Sequence, residues 1–299
     1  MTQISLQDYS ELIYLQEPFI PKSLLQANKE ELVESIMSKL LQEPDAPKDI
    51  IMPKDFSGKR NLVRALLNIR EPKQTDPNLL AEIDCLLQSD LIEKQIVDVE
   101  KLETIASIFP ENHFIQSEKL VLWQGDITRV NADAIVNAAN SQMLGCFQPM
   151  HACIDNAIHS AAGPQLRDDC EKIMSLQDEL EETGTAKITR AYNLPAHFVL
   201  HTVGPIVPQG TKLTSKQRDE LAACYTSCLD LASQLEHINS IAFCAISTGV
   251  FGFPKTEAAY IAVNTVNQWL AEKPNSFEKI IFNVFSTEDY DEYSRVFSK

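Results

Sequence analysis

Glycine and long hydrophobic runs are both scarce in this chain. Only 9 of the 299 residues are glycine, and Gly58 is the only one among the first 110. No run approaches the roughly 18 consecutive apolar residues that a membrane helix needs, which excludes a membrane span. The opening segment also lacks a basic stretch followed by an apolar one, so we expect no signal peptide and a cytoplasmic protein.

Positive charge is also in short supply. Lysine and arginine total 26 against 42 aspartates and glutamates, which gives a formal net charge of -16. A surface of this sign repels a phosphate backbone, so general nucleic-acid binding is not expected. The seven cysteines are an odd number in a large chain, which favours free thiols or metal ligands over a disulfide framework.

The first part of the chain has the pattern of helices separated by prolines. Apolar residues recur at helical spacing between Leu25 and Leu41, and a second helix is predicted from about Gly58 to Arg70. A third is predicted in TDPNLLAEIDCLLQSDL, where Asp76 can cap the helix and Pro77 can take its first position. Residues 1–112 are therefore expected to form a small all-helical region, and no catalytic constellation is evident there.

After about Phe114, short apolar runs alternate with helical patterns. Continuous apolar character is typical of strands that are buried on both faces, and the intervening helices supply the crossovers. Residues 113–299 are therefore predicted to form a three-layer α/β/α domain with its ligands at the carboxyl ends of the strands. The five runs are KLVLWQGDI, DAIVNAA, HFVLHTV, NSIAFCAI and KIIFNVF.

Polar segments follow three of these predicted strands. In QGDIT, Asp126 can accept a hydrogen bond from a ligand amine or simply cap a turn. In VNAAN, the amides of Asn137 and Asn140 can bind sugar hydroxyls or belong to a turn. The segment STGVFGFP, residues 247–254, can surround a pyrophosphate with backbone amides or can be an ordinary turn.

The segment GCFQPMHACIDNAIHSAAG contains the residue types that bind zinc. Cys146, His151 and Cys153 offer two thiolates and an imidazole within eight residues. Three ligands leave an open position, as in a catalytic zinc site. A closed structural site would add His159 or Cys170, and a third interpretation is that no metal binds, since this is not a standard zinc-finger spacing.

Five motifs together resemble a known family. QGDIT, VNAAN, IHSAAGPQL, GTAKITRAYNLPAHFVLHTVGP and STGVFGFP, in this order over about residues 117–299, look like the ADP-ribose-binding macrodomain, in the branch that hydrolyses ADP-ribose from proteins. Where that branch usually has a glycine-rich loop, GCFQPMHACIDNAIH resembles the zinc-containing macrodomains of some bacteria and fungi. The resemblance implies a mixed, mainly parallel central sheet and one zinc per chain on Cys146, His151 and Cys153, with the open position facing the distal ribose.

The resemblance also implies a role for individual residues. Asp126 should bind the adenine amine with Ile127 beside the ring, Asn140 should contact the distal ribose, and Asp155 falls at the family's catalytic aspartate. Backbone amides should wrap the diphosphate, with Phe251 near the ribose, over Ser247, Thr248, Gly249, Val250, Phe251 and Gly252.

Three further residues have less specific expectations. Phe285, at the end of the last strand, is predicted either to stack on the adenine or to belong to the core. His159 and His201 match ordinary structural positions, so both are expected to be core histidines with satisfied hydrogen bonds.

The activity that the resemblance implies is hydrolysis of the bond between the distal ribose and an aspartate or glutamate side chain of a protein. Zinc would polarise the ribose oxygen or a water, and Asp155 would orient or deprotonate the attacking water. The implied setting is bacterial, opposing a sirtuin-type ADP-ribosyltransferase that modifies a lipoyl carrier protein of the glycine-cleavage H type. The alternatives are a reader that binds ADP-ribose without cutting it, an O-acetyl-ADP-ribose deacetylase, and an interaction protein that recruits a partner through its N-terminal helices.

Overall fold

The computed structural model describes residues 3–21 and 28–298. The predicted helix start at Leu25 therefore lies outside the described residues. Within them, no helix has both the length and the apolar character needed to cross a membrane. The helices are α1 (Leu6–Tyr9), α2 (Lys29–Leu41), α3 (Phe56–Ile69), α4 (Pro77–Lys94), α5 (Ile105–Ile108), α6 (Ile154–Ala162), α7 (Pro164–Gln177), α8 (Ser215–Ala232), α9 (Lys255–Glu272) and α10 (Thr287–Phe297).

A six-stranded sheet forms the centre of the molecule, in the order β2-β8-β7-β4-β6-β5. All neighbours in it are parallel except β5 and β6, which confirms the predicted mixed, mainly parallel sheet. A separate parallel pair joins β1 to β3, so the prediction that residues 1–112 are all helical is wrong at this short strand. The strands are β1 (Val97–Asp98), β2 (Leu120–Gln124), β3 (Val130–Asn131), β4 (Ala134–Ala139), β5 (Ala186–Arg190), β6 (Phe198–Val203), β7 (Ser240–Phe243) and β8 (Lys279–Val284).

The three layers follow from the apolar character of the central strands. Nearly all residues of β4, β6, β7 and β8 are buried, so helices must cover both faces of the sheet. Helix α9 packs against both α8 and α10, and α6 and α7 form a second packed pair in which α6 contacts β4 and α7 contacts β5. All five apolar runs of the sequence are strands, as predicted.

Strand β5 was not predicted, because it is not a continuous apolar run. Its Lys187 is only 2% exposed and donates to both carboxylate oxygens of Glu181, at 2.9 Å each. A buried ion pair of this kind allows a charged residue to lie inside a sheet. From the sequence alone, a lysine at this position is expected to be exposed to solvent.

Helices α2, α3 and α4 have a hydrophobic core of their own, and we call these three helices the helical module. The predicted stripe on α2 is confirmed, and Asp76 and Pro77 begin α4 as expected. Helix α3 begins at Phe56, two residues before the predicted start, and the polar Asn68 near its C-terminal end is buried, as is Arg70, which follows the helix. The core consists of Leu32, Val33, Ile36, Met37, Leu40, Val63, Leu66, Leu79, Ile83, Leu86 and Leu87.

The segment 3–21 packs on the main core rather than on the helical module. Tyr9 is 1% exposed, and its hydroxyl accepts a hydrogen bond of 3.0 Å from the backbone N–H of Ile188 in β5. Ile105 of α5 is also part of the main core. The division into residues 1–112 and 113–299 stays a prediction, and the helices with a separate core are α2 to α4.

We expect the helical module to unfold as a separate unit. Ile36→Ala removes a fully buried side chain of its core, which should cost about 2–5 kcal/mol. Both tryptophans, Trp123 and Trp269, lie outside the module, so tryptophan fluorescence reports the rest of the chain. In urea, the variant should lose part of its far-ultraviolet circular dichroism earlier than the parent, while its fluorescence transition stays in place.

The matched control is Ile281→Ala in β8, where the side chain is equally buried in the main core. This change should move the fluorescence transition. Equal shifts of both signals in Ile36→Ala would instead mean that the two cores unfold together.

Candidate functional site

A cavity of about 1090 Å³ lies at the carboxyl ends of β2, β4, β7 and β8. This is the edge of the sheet where ligands are expected in α/β folds. The loops after these strands form one wall, the segment between β4 and α6 forms a second, and α3 and α4 of the helical module form a third. The structure therefore brings the polar segments of the sequence to one place.

One end of the cavity is formed by Asp126, Ile127 and Phe285. Asp126 accepts hydrogen bonds from the backbone N–H and the hydroxyl of Thr128, at 3.0 and 2.6 Å, and its second oxygen lies 3.6 Å from the Lys94 ammonium. Phe285 lines the cavity with 79% of its surface exposed, so the core interpretation of this residue is wrong. This end of the cavity combines a carboxylate with an exposed aromatic ring.

The loop after β7 contributes backbone rather than charge. Ser247, Thr248, Gly249, Val250 and Phe251 all line the cavity, and residues 247–252 include no lysine or arginine. A short hydrogen bond of 3.1 Å from the N–H of Gly252 to the carbonyl of Gly249 closes the loop into a turn.

Gly252 differs from its neighbours because it does not line the cavity. Its φ is +69°, and a Cβ at this position would lie 2.8 Å from the carbonyl oxygen of Val207. Gly252 therefore shapes the turn, since only glycine adopts this conformation without strain and fits against that carbonyl.

The segment between β4 and α6, residues 140–153, contains the three predicted metal ligands. The ligand atoms of Cys146, His151 and Cys153 all lie within 4.8 Å of one another, and the Cys146 Sγ and His151 Nδ1 are 3.5 Å apart. All three side chains are half-buried and line the cavity. The structure thus brings two thiols and an imidazole together at a position that a ligand can reach.

The residues suggested for a closed zinc site lie elsewhere. His159 and Cys170 form a separate, fully buried group with His201, so neither joins Cys146, His151 and Cys153. The closed-site interpretation is therefore wrong for this arrangement, because a fourth ligand from these residues would require the core to rearrange.

His201 and His159 differ in their hydrogen bonding. His201 is satisfied as expected, with Asn137 Nδ2 at 3.2 Å from its Nδ1 and Thr189 Oγ1 at 3.0 Å from its Nε2. His159 is buried, and the nearest carboxylate to its ring is that of Asp155, whose Oδ1 lies 3.5 Å from Nε2. Neither ring nitrogen forms a well-aligned hydrogen bond among the described residues, so the expectation of a satisfied histidine is wrong there.

Asp155 lies in the first turn of α6 and faces both asparagines of the VNAAN segment. Asn137 donates to its Oδ1 at 2.8 Å, and Asn140 donates to its Oδ2 at 3.5 Å. Asn137 is fully buried and does not line the cavity, so a contact with a sugar hydroxyl is excluded for it. Its amide instead orients the Asp155 carboxyl, while Asn140 does line the cavity.

The pKa of Asp155 is unusually high for an aspartate. Burial raises it from 3.8 to about 6, against the opposing effects of the hydrogen bond from Asn137 and the charge of Arg167. Burial also lowers the pKa of the neighbouring His159 well below its ordinary value, so this imidazole is neutral. A carboxyl with a pKa close to neutral in a cavity is typical of a group that exchanges protons with a ligand or water.

The third wall was not foreseen from the sequence. Arg60 pairs with Asp90 within the helical module, whereas Arg64 donates to Asn156 at 2.7 Å and to Ser160 at 3.2 Å on α6. The sequence did contain a signal for such contacts. Arg60 and Arg64 stand at positions i and i+4 of one helix, where two like charges repel each other, so each is expected to have a partner outside that helix. The residues of α3 and α4 that line the cavity are Arg60, Asn61, Arg64, Leu87, Asp90, Leu91, Glu93 and Lys94.

The chain is similar to known proteins over most of its length. The Macro domain family matches residues 136–262. A "Protein-ADP-ribose hydrolase" of Staphylococcus aureus (strain MRSA252) is 43% identical over 275 residues, which cover 92% of this chain and 98% of that protein. One of Treponema medium is 46% identical over 259 residues, 87% of this chain and 95% of that protein. Both alignments are longer than residues 113–299, so they include part of the N-terminal helices.

A solved structure is also similar. A macrodomain mutant of Oceanobacillus iheyensis with ADPR has 39% sequence identity and a TM-score of 0.55, and the match covers 62% of this chain and 95% of that chain. This likeness supports the macrodomain fold of the chain.

We expect Asp155→Asn to stabilise the fold at alkaline pH. The folded carboxyl holds its proton more tightly than the unfolded one, so its contribution to stability is full below pH 4 and is lost as the pH rises through about 6. A pKa that rises from 3.8 in the unfolded chain to about 6 in the folded protein corresponds to about 3 kcal/mol in the free energy of unfolding. In urea unfolding, the variant and the parent should differ least near pH 4 and by about this amount at pH 8.

The control is Asp291→Asn, which changes an exposed carboxyl on α10. An exposed side chain makes few contacts in the folded protein, so this change should alter the free energy of unfolding little. A difference between Asp155→Asn and the parent that does not vary with pH would contradict a raised pKa of Asp155.

Proposed function

The chain belongs to the macrodomain family and is an enzyme of its protein-ADP-ribose hydrolase branch, and from this premise we propose that it is a zinc-dependent hydrolase. Its proposed substrates are proteins that carry a single ADP-ribose on an aspartate or glutamate side chain. One observation carries the proposal: Cys146, His151 and Cys153 share a single cavity with Asp155 and with the loop after β7.

The adenine occupies the end of the cavity at Asp126. A carboxylate accepts a hydrogen bond from the exocyclic amine of adenine, and Ile127 lies beside it in the cavity wall. The exposed ring of Phe285 offers the stacking surface at the same end.

The diphosphate lies against Ser247, Thr248, Gly249, Val250 and Phe251. Backbone N–H groups in such a loop bind phosphate oxygens without a basic side chain. Gly252 holds the turn that aims them, because its positive φ and the nearby carbonyl of Val207 admit no side chain. The binding energy from this part of the ligand positions the bond that is broken.

The chemistry of Cys146, His151 and Cys153 fits zinc. Two thiolates and one imidazole are preferred zinc ligands, and a set of three leaves a coordination position for the substrate. These side chains are half-buried and line the cavity, whereas the trio of His159, Cys170 and His201 is enclosed. When bound, one zinc per chain would supply Lewis-acid polarisation of an oxygen at the distal ribose.

Asp155 and Asn140 act on the distal ribose and the attacking water. Asn140 contacts the ribose through its side-chain amide, whose Nδ2 also donates a hydrogen bond to the Asp155 carboxyl. The carboxylate of Asp155 orients the water and takes up one of its protons. The water oxygen bonds to the ribose carbon, the bond from that carbon to the ester oxygen breaks, and the aspartate or glutamate side chain of the modified protein leaves as a carboxylate. Asn137 fixes the orientation of this carboxyl from behind.

From the resemblance to the zinc-containing macrodomains, we propose that the modified partner is a lipoyl carrier protein of the glycine-cleavage H type and that the enzyme reverses a sirtuin-type ADP-ribosyltransferase. The proposed location is the cytoplasm, and in the described structure none of the seven cysteines forms a disulfide, as is usual in a reducing compartment. Two other activities fit the same cavity, binding of ADP-ribose without turnover and removal of the acetyl group from O-acetyl-ADP-ribose. The division of labour is a catalytic and ADP-ribose-binding domain over residues 113–299 and a helical region over residues 1–112.

Zinc removal should abolish turnover. We expect metal analysis of the purified protein to give one zinc per chain, and a strong chelator to stop the release of ADP-ribose from an aspartate- or glutamate-modified protein. Cys146→Ser should lose both the zinc and the turnover, while Cys85→Ser, a thiol outside the cavity, should retain both. Zinc without any release, with ADP-ribose still bound, would favour the reader, and full release without zinc would overturn the role of the metal.

Asp155→Ala should separate binding from turnover. Its carboxylate acts on the water, whereas the adenine and diphosphate contacts are made by other residues, so the variant should bind ADP-ribose with a Kd close to that of the parent. A lost catalytic base or acid typically lowers kcat by about 10²–10⁴-fold. Isothermal titration and a single-turnover release assay measure the two quantities, and equal kcat values for variant and parent would refute the assigned role.

A further inference from the structure

The segment 140–153 is held by the helical module as well as by the macrodomain. Its backbone has three residues with positive φ, Met143, Gly145 and Met150, so its shape is irregular and needs external support. The carbonyls of Leu144 and Gln148 accept hydrogen bonds from side chains outside the segment. In contrast to these carbonyls, the N–H of Met150 is a donor, and its acceptor is a side chain of the helical module.

That side chain is Asn68, at the C-terminal end of α3. Its Oδ1 accepts the hydrogen bond from Met150 N–H at 3.1 Å, and its Nδ2 donates to the Ser160 hydroxyl on α6 at 2.9 Å. Asn68 is only 2% exposed, so solvent does not compete readily for either contact. One buried amide thus ties α3 to the segment and to the helix that follows it.

Two arginines reinforce this connection. Arg167 of α7 donates to the carbonyl of Leu144 and also to the carbonyls of Leu67 and Arg70, which belong to or follow α3. From α3 itself, Arg64 donates to Asn156 Oδ1 at 2.7 Å.

Asn156 carries the connection back to the segment. Its Nδ2 donates to the carbonyl of Gln148 at 3.0 Å, and its backbone N–H donates to the Cys153 sulfur at 3.4 Å. The segment is therefore linked to α3 at residues 144, 148 and 150. Residue 144 lies two positions before Cys146, and residues 148 and 150 lie between Cys146 and His151.

We propose that Asn68 is a positioning residue for the zinc site, so that the helical module takes part in building it. The inference rests on the proposed function, since it concerns the affinity of Cys146, His151 and Cys153 for zinc. Met150 immediately precedes His151, and its φ of +57° is uncommon for a residue with a side chain. The hydrogen bond to Asn68 helps to hold this conformation, and with it the direction in which His151 leaves the backbone.

The physical effect is preorganisation. Without the bond to Asn68, the residues around His151 would sample more conformations, and metal binding would have to bear the entropy cost of ordering them. Supporting hydrogen bonds around a metal site typically change its affinity by about 10–100-fold when they are removed. A residue that only stabilised the fold would lower the melting temperature without changing the zinc affinity of the folded protein.

The test measures zinc affinity in the full-length protein. Asn68→Ala and Asn68→Leu both remove the acceptor for Met150 N–H, and leucine keeps most of the volume. We expect each to weaken zinc binding about tenfold in competition with a chelating dye. Asn68→Asp keeps an acceptor for the same N–H and should stay within about threefold of the parent. Asn78→Ala, an exposed asparagine at the start of α4, is the matched control and should equal the parent.

A second measurement does not depend on the metal. Hydrogen exchange followed by mass spectrometry should show faster exchange over residues 144–153 in metal-free Asn68→Ala than in the metal-free parent, with Asn68→Asp close to the parent. The Kd for ADP-ribose should change by less than about twofold in all variants, because the adenine and diphosphate contacts lie in other loops.

The outcomes separate the two proposals. A parent that binds no zinc overturns the zinc-dependent function and this inference with it. Zinc bound by the parent and by Asn68→Ala with equal affinity overturns only the role of Asn68, as does an Asn68→Asp variant that is as weak as Asn68→Ala. Unchanged exchange over residues 144–153 also contradicts the inference.

Discussion

The hydrogen bond from Asn137 to Asp155 is the contact on which the site depends. The amide nitrogen of Asn137 carries two hydrogens, and the structure directs one to Asp155 and the other to Nδ1 of His201. His201 must then carry its own hydrogen on Nε2, which it donates to Thr189. The chain of contacts runs across β4, β6 and β5, so three neighbouring strands fix the carboxyl.

The electrostatic character of the cavity follows from the acidic composition of the chain. ADP-ribose is an anion, yet the formal net charge of the protein is -16 and the loop after β7 has no basic side chain. The lysine and arginine side chains that line the cavity, Arg60, Arg64 and Lys94, come from α3 and α4. Arg60 and Lys94 face carboxylates, so ligand recognition relies on directed backbone and amide hydrogen bonds more than on net attraction.

The sequence predicts the strands and the candidate metal ligands better than the residues that hold the site in place. Strands buried on both faces have a clear apolar signal, and the cysteine and histidine spacing marks the candidate metal ligands. The positions of Asn68 and Arg167 could not be foreseen, because their hydrogen-bond partners lie up to 100 residues away along the chain and most of them are backbone groups. In the sequence, Gly252 and Asn137 are both predicted to contact the ligand. In the structure, Gly252 shapes the turn after β7, and Asn137 is buried and orients the Asp155 carboxyl.

The contact between Tyr9 and β5 has a consequence beyond the site. Among the described residues, strand β5 is at the end of the sheet and pairs with β6 alone, so its outer side would present free backbone donors and acceptors. Such edges recruit strands from other molecules and promote aggregation. The Tyr9 hydroxyl accepts a hydrogen bond from the Ile188 N–H, so the segment 3–21 covers one backbone donor of this edge. A chain trimmed of this segment would keep the residues that line the cavity and would expose that donor to a strand from another copy of the protein.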